Sequence, residues 1–315
     1  MTKKIIIILA LLSISFITFQ FFYSGNPEAF QSKDFIEVVA HKGVHQNYNL
    51  KNIDPNTNCI APHIFNPTHG YLENTIESIE AAFNFGATIV EIDIQRSKDN
   101  YIVVFHDSNL ECLTNGTGKI NERPHEYLKS LDIGYNYSFD GDTTFPFRGK
   151  GTGKMPTLAE VLQKFPDKKF YIDHKDGSQK TAELLVDIFK TFPLERQLLL
   201  YYWGPDSTYD FITAKIPAIR RLFCNKKQLK NWMLTHFITF GMSGFPKESS
   251  GLAMGLPPKY AKLLPGWPFR FLEKVRNAGA YFYLLIDTKE DALKYVNLPV
   301  DGFVTDYIEI VGQIY

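Results

Sequence analysis

The stretch Thr88-Ile89-Val90-Glu91-Ile92-Asp93-Ile94-Gln95, followed a few residues later by Tyr101-Ile102-Val103-Val104-Phe105-His106, decides how this chain reads. Both segments are rich in β-branched residues and read as strands. Only Ser97–Asn100 lies between them, whereas a parallel crossover needs about a dozen residues. The pair is therefore predicted to be an antiparallel hairpin turning at Lys98-Asp99-Asn100. Folded there, it is expected to set His106 opposite Glu91 or Asp93, on the face those carboxylates share.

Working outward, further strands are predicted at Phe35–Ala40, Phe170–Lys175, Gln197–Trp203, Ile219–Cys224, Leu252–Gly255, Tyr281–Ile286 and Gly302–Thr305. Helical faces fall between many of them: Leu158, Val161, Leu162 and Phe165 keep i, i+3, i+4, i+7 spacing, as do Leu185, Ile188, Phe189 and Phe192. Alternating strands and helices predict a parallel α/β fold, with a (β/α)8 TIM-type barrel as the leading case. The hairpin absorbs the strand that eight places cannot take. Asn47–Tyr71 reads as a long loop after the first strand, and Asn109–Gly153 as an irregular insertion after the His106 strand.

The 315 residues, 44% of them hydrophobic, suffice for a large core. Lys plus Arg and Asp plus Glu number 34 each, so no net field favours nucleic acid, which is not expected as a partner. Lys3 and Lys4 precede an uncharged run from Ile5 to Tyr23. Residues 1–24 are expected to be a signal peptide or membrane anchor, with a buried core helix as the third reading. Bulky Phe22 and Tyr23, where a cleavage site wants small residues, favour the anchor. Gly25–Asp34 reads as a linker and 35–315 as the barrel domain, placed outside the cytoplasm: periplasmic, in the cell envelope or secreted.

Glu91 and Asp93 share one face of their strand while Val90, Ile92 and Ile94 pack on the other. Two inward carboxylates repel and desolvate each other unless a cation is present. An oxygen-rich site suits Mg2+ or Ca2+. Asp173 and Lys175 repeat the i, i+2 pattern, adding a carboxylate and a cation. His41 and His106 each close an apolar strand, where a barrel carries its chemistry, and are candidates for general acid and base. Together these residues describe a cation-assisted phosphoryl site.

Six ordered motifs carry a family resemblance: His41-Lys42-Gly43, Glu73-Asn74-Thr75, Glu91-Ile92-Asp93, Phe105-His106-Asp107, Pro156-Thr157-Leu158-Ala159-Glu160-Val161-Leu162 and Val300-Asp301-Gly302-Phe303-Val304-Thr305-Asp306. The chain resembles the glycerophosphodiester phosphodiesterases. The resemblance implies a barrel with a small insertion, a divalent metal on Glu91, Asp93 and Asp173, acid–base roles for His41 and His106, and Glu73 at the site. It implies hydrolysis of a glycerophosphodiester to sn-glycerol 3-phosphate and an alcohol. Lys42 stands where the family usually has Arg, Asp173 where it usually has Glu, and the loop from Lys42 to Glu73 is longer than usual. A lysophospholipase D-type lipid phosphodiesterase shares the same site, and an inactive barrel binding envelope components is the reading from another class.

Pro257–Phe271, with Trp267, Phe269 and Phe271, reads either as packed loop aromatics or as a lip for a lipid tail. Cys59 lies in the loop after His41 and Cys112 just beyond His106. If both histidines face one pocket, the two cysteines are expected to form a disulfide, leaving Cys224 free.

Overall fold

The computed structural model describes residues 3–27, 36–49, 53 and 59–314. Most of the expected linker, Phe35, and parts of the loop after His41 (50–52 and 54–58) lie outside the described residues. The chain divides into two compact units. The larger comprises Val38–Arg221 and Asp306–Gln313. Apart from the first residue of β1, it holds β1 (Glu37–Ala40), β2 (Ile89–Arg96), β3 (Ile102–Val104), β4 (Lys169–His174) and β5 (Leu200–Trp203).

Within this unit β5, β4, β2 and β1 lie side by side and parallel, while β3 pairs antiparallel with β2. All of β2 except Arg96 is buried, as parallel strands covered on both faces require. Local chemistry starts the intervening helices. Thr75 caps Ile76–Asn84 by accepting from the Ser78 N–H, and Ser178 caps Gln179–Lys190 through the Thr181 N–H. Thr157 and Glu160 cap Leu158–Lys164 reciprocally, one side chain accepting from the other's backbone N–H. The motif from Pro156 to Leu162 is thus a helix start; its Pro156 carbonyl also accepts from the Val104 N–H and covers part of the hairpin's outer edge.

The second unit comprises Met1–Glu37, Leu222–Thr305 and Ile314–Tyr315. It contains β6 (Ala253–Leu256), β7 (Tyr281–Ile286) and β8 (Gly302–Thr305), parallel in the order β8-β7-β6. Phe271 meets Phe245 and Phe282 edge-on, and Trp267 packs on Phe271 and Phe282. Phe271 is fully buried and Trp267 half-buried against it, which is the packed arrangement of loop aromatics.

Three expectations need correction. Ile219–Cys224 is not a strand: it makes single bridges at Arg220 and Phe223, one to Tyr201 and one to Ala253. The helix Gln179–Lys190 buries Ala182, Leu185, Val186 and Phe189, whereas Ile188 is only half-buried and Phe192 lies beyond the helix end. The hairpin pairs Ile94 with Val104 and Gln95 with Val103. Continued, that register puts His106 level with Ile92, not with Glu91 or Asp93.

The insertion is irregular yet has its own core. Leu110, Leu113, Leu128, Leu131, Ile133, Tyr137 and Phe147 are buried together with Ile60, Ile64 and Leu72 from the loop after His41. Asp132 organises it by accepting from the N–H groups of Gly134, Gly149 and Gly151. Cys59 and Cys112 pack against this cluster and are joined by a disulfide, with Cα atoms 5.4 Å apart; Cys224 is free and buried.

The N-terminal helix Lys3–Phe22 exposes Ile7, Leu11, Ile14 and Phe22, among others. Counted over the residues whose side chains are described, no helix is long and apolar enough to cross a membrane; Ile5, Ile6, Leu9, Ile17, Gln20 and Phe21 fall outside that set.

The disulfide closes a separation of 53 residues. Replacing both cysteines by Ser is expected to lower the unfolding free energy by about 2–4 kcal/mol through the freer unfolded chain. Denaturant unfolding of wild type and double mutant checks this; coincident midpoints would show that the apolar cluster alone holds the two segments.

Candidate functional site

All the residues singled out for chemistry belong to the larger unit. β2 and β4 run in register, pairing Glu91 with Tyr171 and Asp93 with Asp173. The two aspartates therefore stand side by side, with Glu91 two residues back on the same face. One carboxylate oxygen from each of Glu91, Asp93 and Asp173 lies within 4.8 Å of the others. Lys175 Nζ sits between two of them, 2.9 Å from Asp93 and 2.7 Å from Asp173.

Lys42 reaches the cluster from β1. Its backbone is left-handed, with φ 58°, and its N–H donates to Glu91 Oε2 at 2.9 Å. Gly43 follows at φ 75°, and a Cβ there would stand 2.2 Å from Ser78 Oγ, so this turn needs glycine. The Lys42 ammonium lies 3.2 Å from Glu73 Oε1, and both groups are buried. Glu73-Asn74-Thr75 divides its labour: Glu73 pairs with Lys42, Asn74 both donates to Asp93 Oδ2 and accepts from the Asp93 N–H, and Thr75 caps the next helix.

The charges are coupled. Burial, then the neighbouring Asp93 and Asp173, push the Glu91 carboxyl well above its usual range. Burial acts the same way on Asp93, but the nearby His106, Lys175 and Lys42 outweigh it and hold that carboxyl below its usual range. Burial opposes the charges of Lys42 and Lys175, yet the surrounding carboxylates keep both ammonium groups above their ordinary value. Four acids, Glu73, Glu91, Asp93 and Asp173, thus face two lysines.

That deficit of positive charge, the buried Glu73 Oε2 without a hydrogen-bond partner among the described residues, and Asp93 Oδ1, which meets the Lys175 ammonium as an ion pair only, fit a hard divalent cation on oxygen ligands.

His41 follows β1 and is about one-third exposed, with Nδ1 2.6 Å from Asp306 Oδ1. The same oxygen lies 3.2 Å from Nε2 of buried His45. Burial lowers the His45 pKa, but the Asp306 bond and charge more than reverse this. Asp306 is held far below the usual carboxylate range: burial raises it, and the charges and hydrogen bonds of His41 and His45 outweigh burial. His106, 36% exposed, has Nδ1 2.7 Å from Asp107 Oδ1. It leaves the hairpin ladder where the chain bends after β3, with the carbonyls of Phe105, His106 and Asp107 gathered 2.9–3.0 Å from Gln95 Nε2 and sharing its two N–H groups. His174 is a contrasting case, buried and satisfied by Tyr202 and Asp176.

The structure therefore brings together His41, Lys42, Glu73, Glu91, Asp93, Asp173, Lys175 and His106. Sequence reading assigned no role to Gln95, His45, Asp107 or Asp306. Asp107 directly follows His106 in the Phe105-His106-Asp107 motif, and Asp306 ends the motif that begins at Val300. Nothing in the pattern marked Gln95.

Residues 41–310 match the model of the glycerophosphoryl diester phosphodiesterase family. The chain belongs to that family. A glycerophosphodiester phosphodiesterase of Caldanaerobacter subterraneus subsp. tengcongensis is 27% identical over 241 residues, covering 74% of this chain and 88% of that one. One from Bacillus subtilis is 36% identical over 110 residues, covering 34% of this chain and 36% of that one. Among solved structures, a phosphodiesterase domain from Mycobacterium tuberculosis matches with TM-score 0.64 and 17% identity, over 89% of this chain and 99% of that one. An Oleispira antarctica phosphodiesterase in complex with sn-glycerol 3-phosphate matches with TM-score 0.55 and 22% identity, over 87% and 94%. These likenesses establish the TIM-type (β/α)8 barrel expected from the alternating strands and helices.

A carboxylate whose folded-state pKa is depressed contributes stability above its unfolded value, near 3.9, and loses it as the pH falls towards the folded value. Asp306→Asn should therefore flatten the loss of stability below about pH 4. With His41 no longer held by a charge, kcat should also fall by about 10²–10⁴-fold. Urea unfolding across pH and steady-state kinetics read the two effects; unchanged kcat would make the Asp306 contact purely structural.

Proposed function

We propose that this chain hydrolyses glycerophosphodiesters to sn-glycerol 3-phosphate and an alcohol, using a divalent cation, Mg2+ or Ca2+, on Glu91, Asp93 and Asp173. The observation that carries this reading is the meeting of a cation-deficient carboxylate trio with two half-open histidines, each backed by an aspartate. A cation held there would stabilise charge on the phosphoryl oxygens and orient them.

The chain's own residues do the rest. Lys42 and Lys175, kept protonated by the acids around them, supply fixed positive charge for the phosphoryl oxygens. Glu73 holds Lys42 in place. His41 and His106 each have Nδ1 engaged by an aspartate, which leaves Nε2 to face substrate. One histidine takes the proton of the attacking oxygen as its bond to phosphorus forms. The other gives a proton to the alkoxide as the second P–O bond breaks. Atoms balance as one diester and one water giving one monoester and one alcohol. A human lysophospholipase D, 27% identical over 145 residues, supports the lipid-directed variant of the same reaction.

We also propose that the domain works outside the cytoplasm, held by Lys3–Phe22. The disulfide supports an oxidising compartment for the domain, and Lys3 and Lys4 before the apolar run support retention of the N-terminus alone on the cytoplasmic side.

Chelation with EDTA is expected to abolish glycerophosphocholine hydrolysis, and Mg2+ or Ca2+ to restore it. Glu91→Gln should remove both metal uptake, measured by calorimetry, and turnover; full activity after exhaustive chelation would end the reading. Separately, His106→Ala should lower kcat by roughly 10²–10⁴-fold with metal content unchanged. Wild-type turnover in that variant would relegate His106 to structure.

A further inference from the structure

The helix Lys226–Ile238, in the second unit, is a poor core element. Of its thirteen residues only His236 is buried, its Nε2 donating to the Pro265 carbonyl at 2.9 Å and its ring stacking on Phe245. Leu234, Phe237 and Ile238 stay exposed at its C-terminal end, joined by Met242 just beyond. Its first turn carries Lys226 and Lys227, followed by Lys230 and with no acidic residue. The helix dipole disfavours positive charge there, so helix stability does not account for these lysines.

The surrounding sequence deepens the asymmetry. Between 225 and 277 there are nine Lys and Arg against two Glu and no Asp, in a chain whose net charge is zero. Lys247, Lys259 and Lys262 are exposed, and exposed Tyr260 and Leu263 sit among them. The same unit seats the end of the N-terminal helix. Phe19 and Tyr23 line a cavity of about 390 Å³ with Met242, Arg270 and Lys274, and the Arg270 N–H donates to the Ser24 carbonyl at 2.7 Å. The basic, apolar-tipped face is thus continuous with a helix that is itself apolar and exposed.

We infer that this face, centred on the helix Lys226–Ile238, docks on the surface of an anionic lipid bilayer. Lysines meet the headgroup charge while Leu234, Phe237 and Ile238 enter the acyl boundary. The apolar tips separate this from a nucleic-acid surface, and the single sign of charge separates it from a self-complementary contact between copies. The inference stands whether or not the other unit hydrolyses a phosphodiester.

The test uses the full chain in vesicles of phosphatidylcholine, with and without about 30% phosphatidylglycerol, following hydrogen exchange of residues 226–238. The N-terminal segment carries Lys3 and Lys4 in both samples, so the basic face is reported by the part of the difference that the triple variant below removes. Exchange is expected to slow about tenfold with anionic vesicles only, and the slowing to vanish in high salt. Each lysine near such a surface changes partitioning by about fivefold, so Lys226→Gln, Lys227→Gln and Lys230→Gln together should weaken it by roughly a hundredfold. The exposed positions predict an unchanged melting temperature, and the wild-type salt dependence tests the idea without any variant. Equal exchange in both vesicle types overturns the proposal. So does slowing that needs no lipid and grows with protein concentration, which would assign the face to a second copy of the chain.

Discussion

The pairing of Asp93 with Asp173 across adjacent parallel strands is the constraint around which the larger unit is arranged. Like charges set opposite each other destabilise a sheet. Here a third carboxylate lies one strand repeat away, and none of the three can retreat into water without unpicking β2 or β4. The neighbours answer that repulsion. Lys175 bridges the aspartates, Asn74 ties down Asp93 from its free side, and the Lys42 backbone N–H faces Glu91. Even the left-handed turn at Lys42 and Gly43 makes sense as the route by which a backbone donor and a cation arrive together.

The first two acidic positions were legible because strand geometry has a period of two: a hydrophobic strand interrupted by Glu91 and Asp93 on one face announces itself. Asp173 and Lys175 were legible for the same reason. His41 and His106 were legible as strand-end residues, but the path by which His106 reaches the pocket was not. The expected register would have brought it there directly. The observed register is one residue off, and Gln95 makes up the difference by gathering three carbonyls. A glutamine inside a buried strand carries no local pattern that reveals such partners, since they depend on how the chain leaves the sheet. Asp306 is likewise 265 residues from His41 in sequence, and only folding brings them together.

Strand alternation and the family motifs conveyed the barrel, whereas the irregular segments were harder to read. Ile219–Cys224 has a strand's composition, yet its neighbours accept it at only two bridges. The insertion after His106 lacks periodicity, so its core of Leu, Ile and Tyr residues is invisible until the disulfide and Asp132 are seen to fold it back on itself. The overall charge balance was misleading in another way. A total of zero hides a strongly basic segment compensated elsewhere, and only the local count shows it.

The resident ammonium of Lys175 has one more consequence. A carboxylate cluster that waited for its metal before it could fold would couple assembly of the protein to supply of the ion. Lys175, 2.9 Å from Asp93 and 2.7 Å from Asp173, screens part of that repulsion from within the chain, so the pairing of β2 with β4 does not rest on an ion alone. The tethered cation is a permanent counter-charge: it follows directly on the strand that carries Asp173, so acid and partner enter the sheet together.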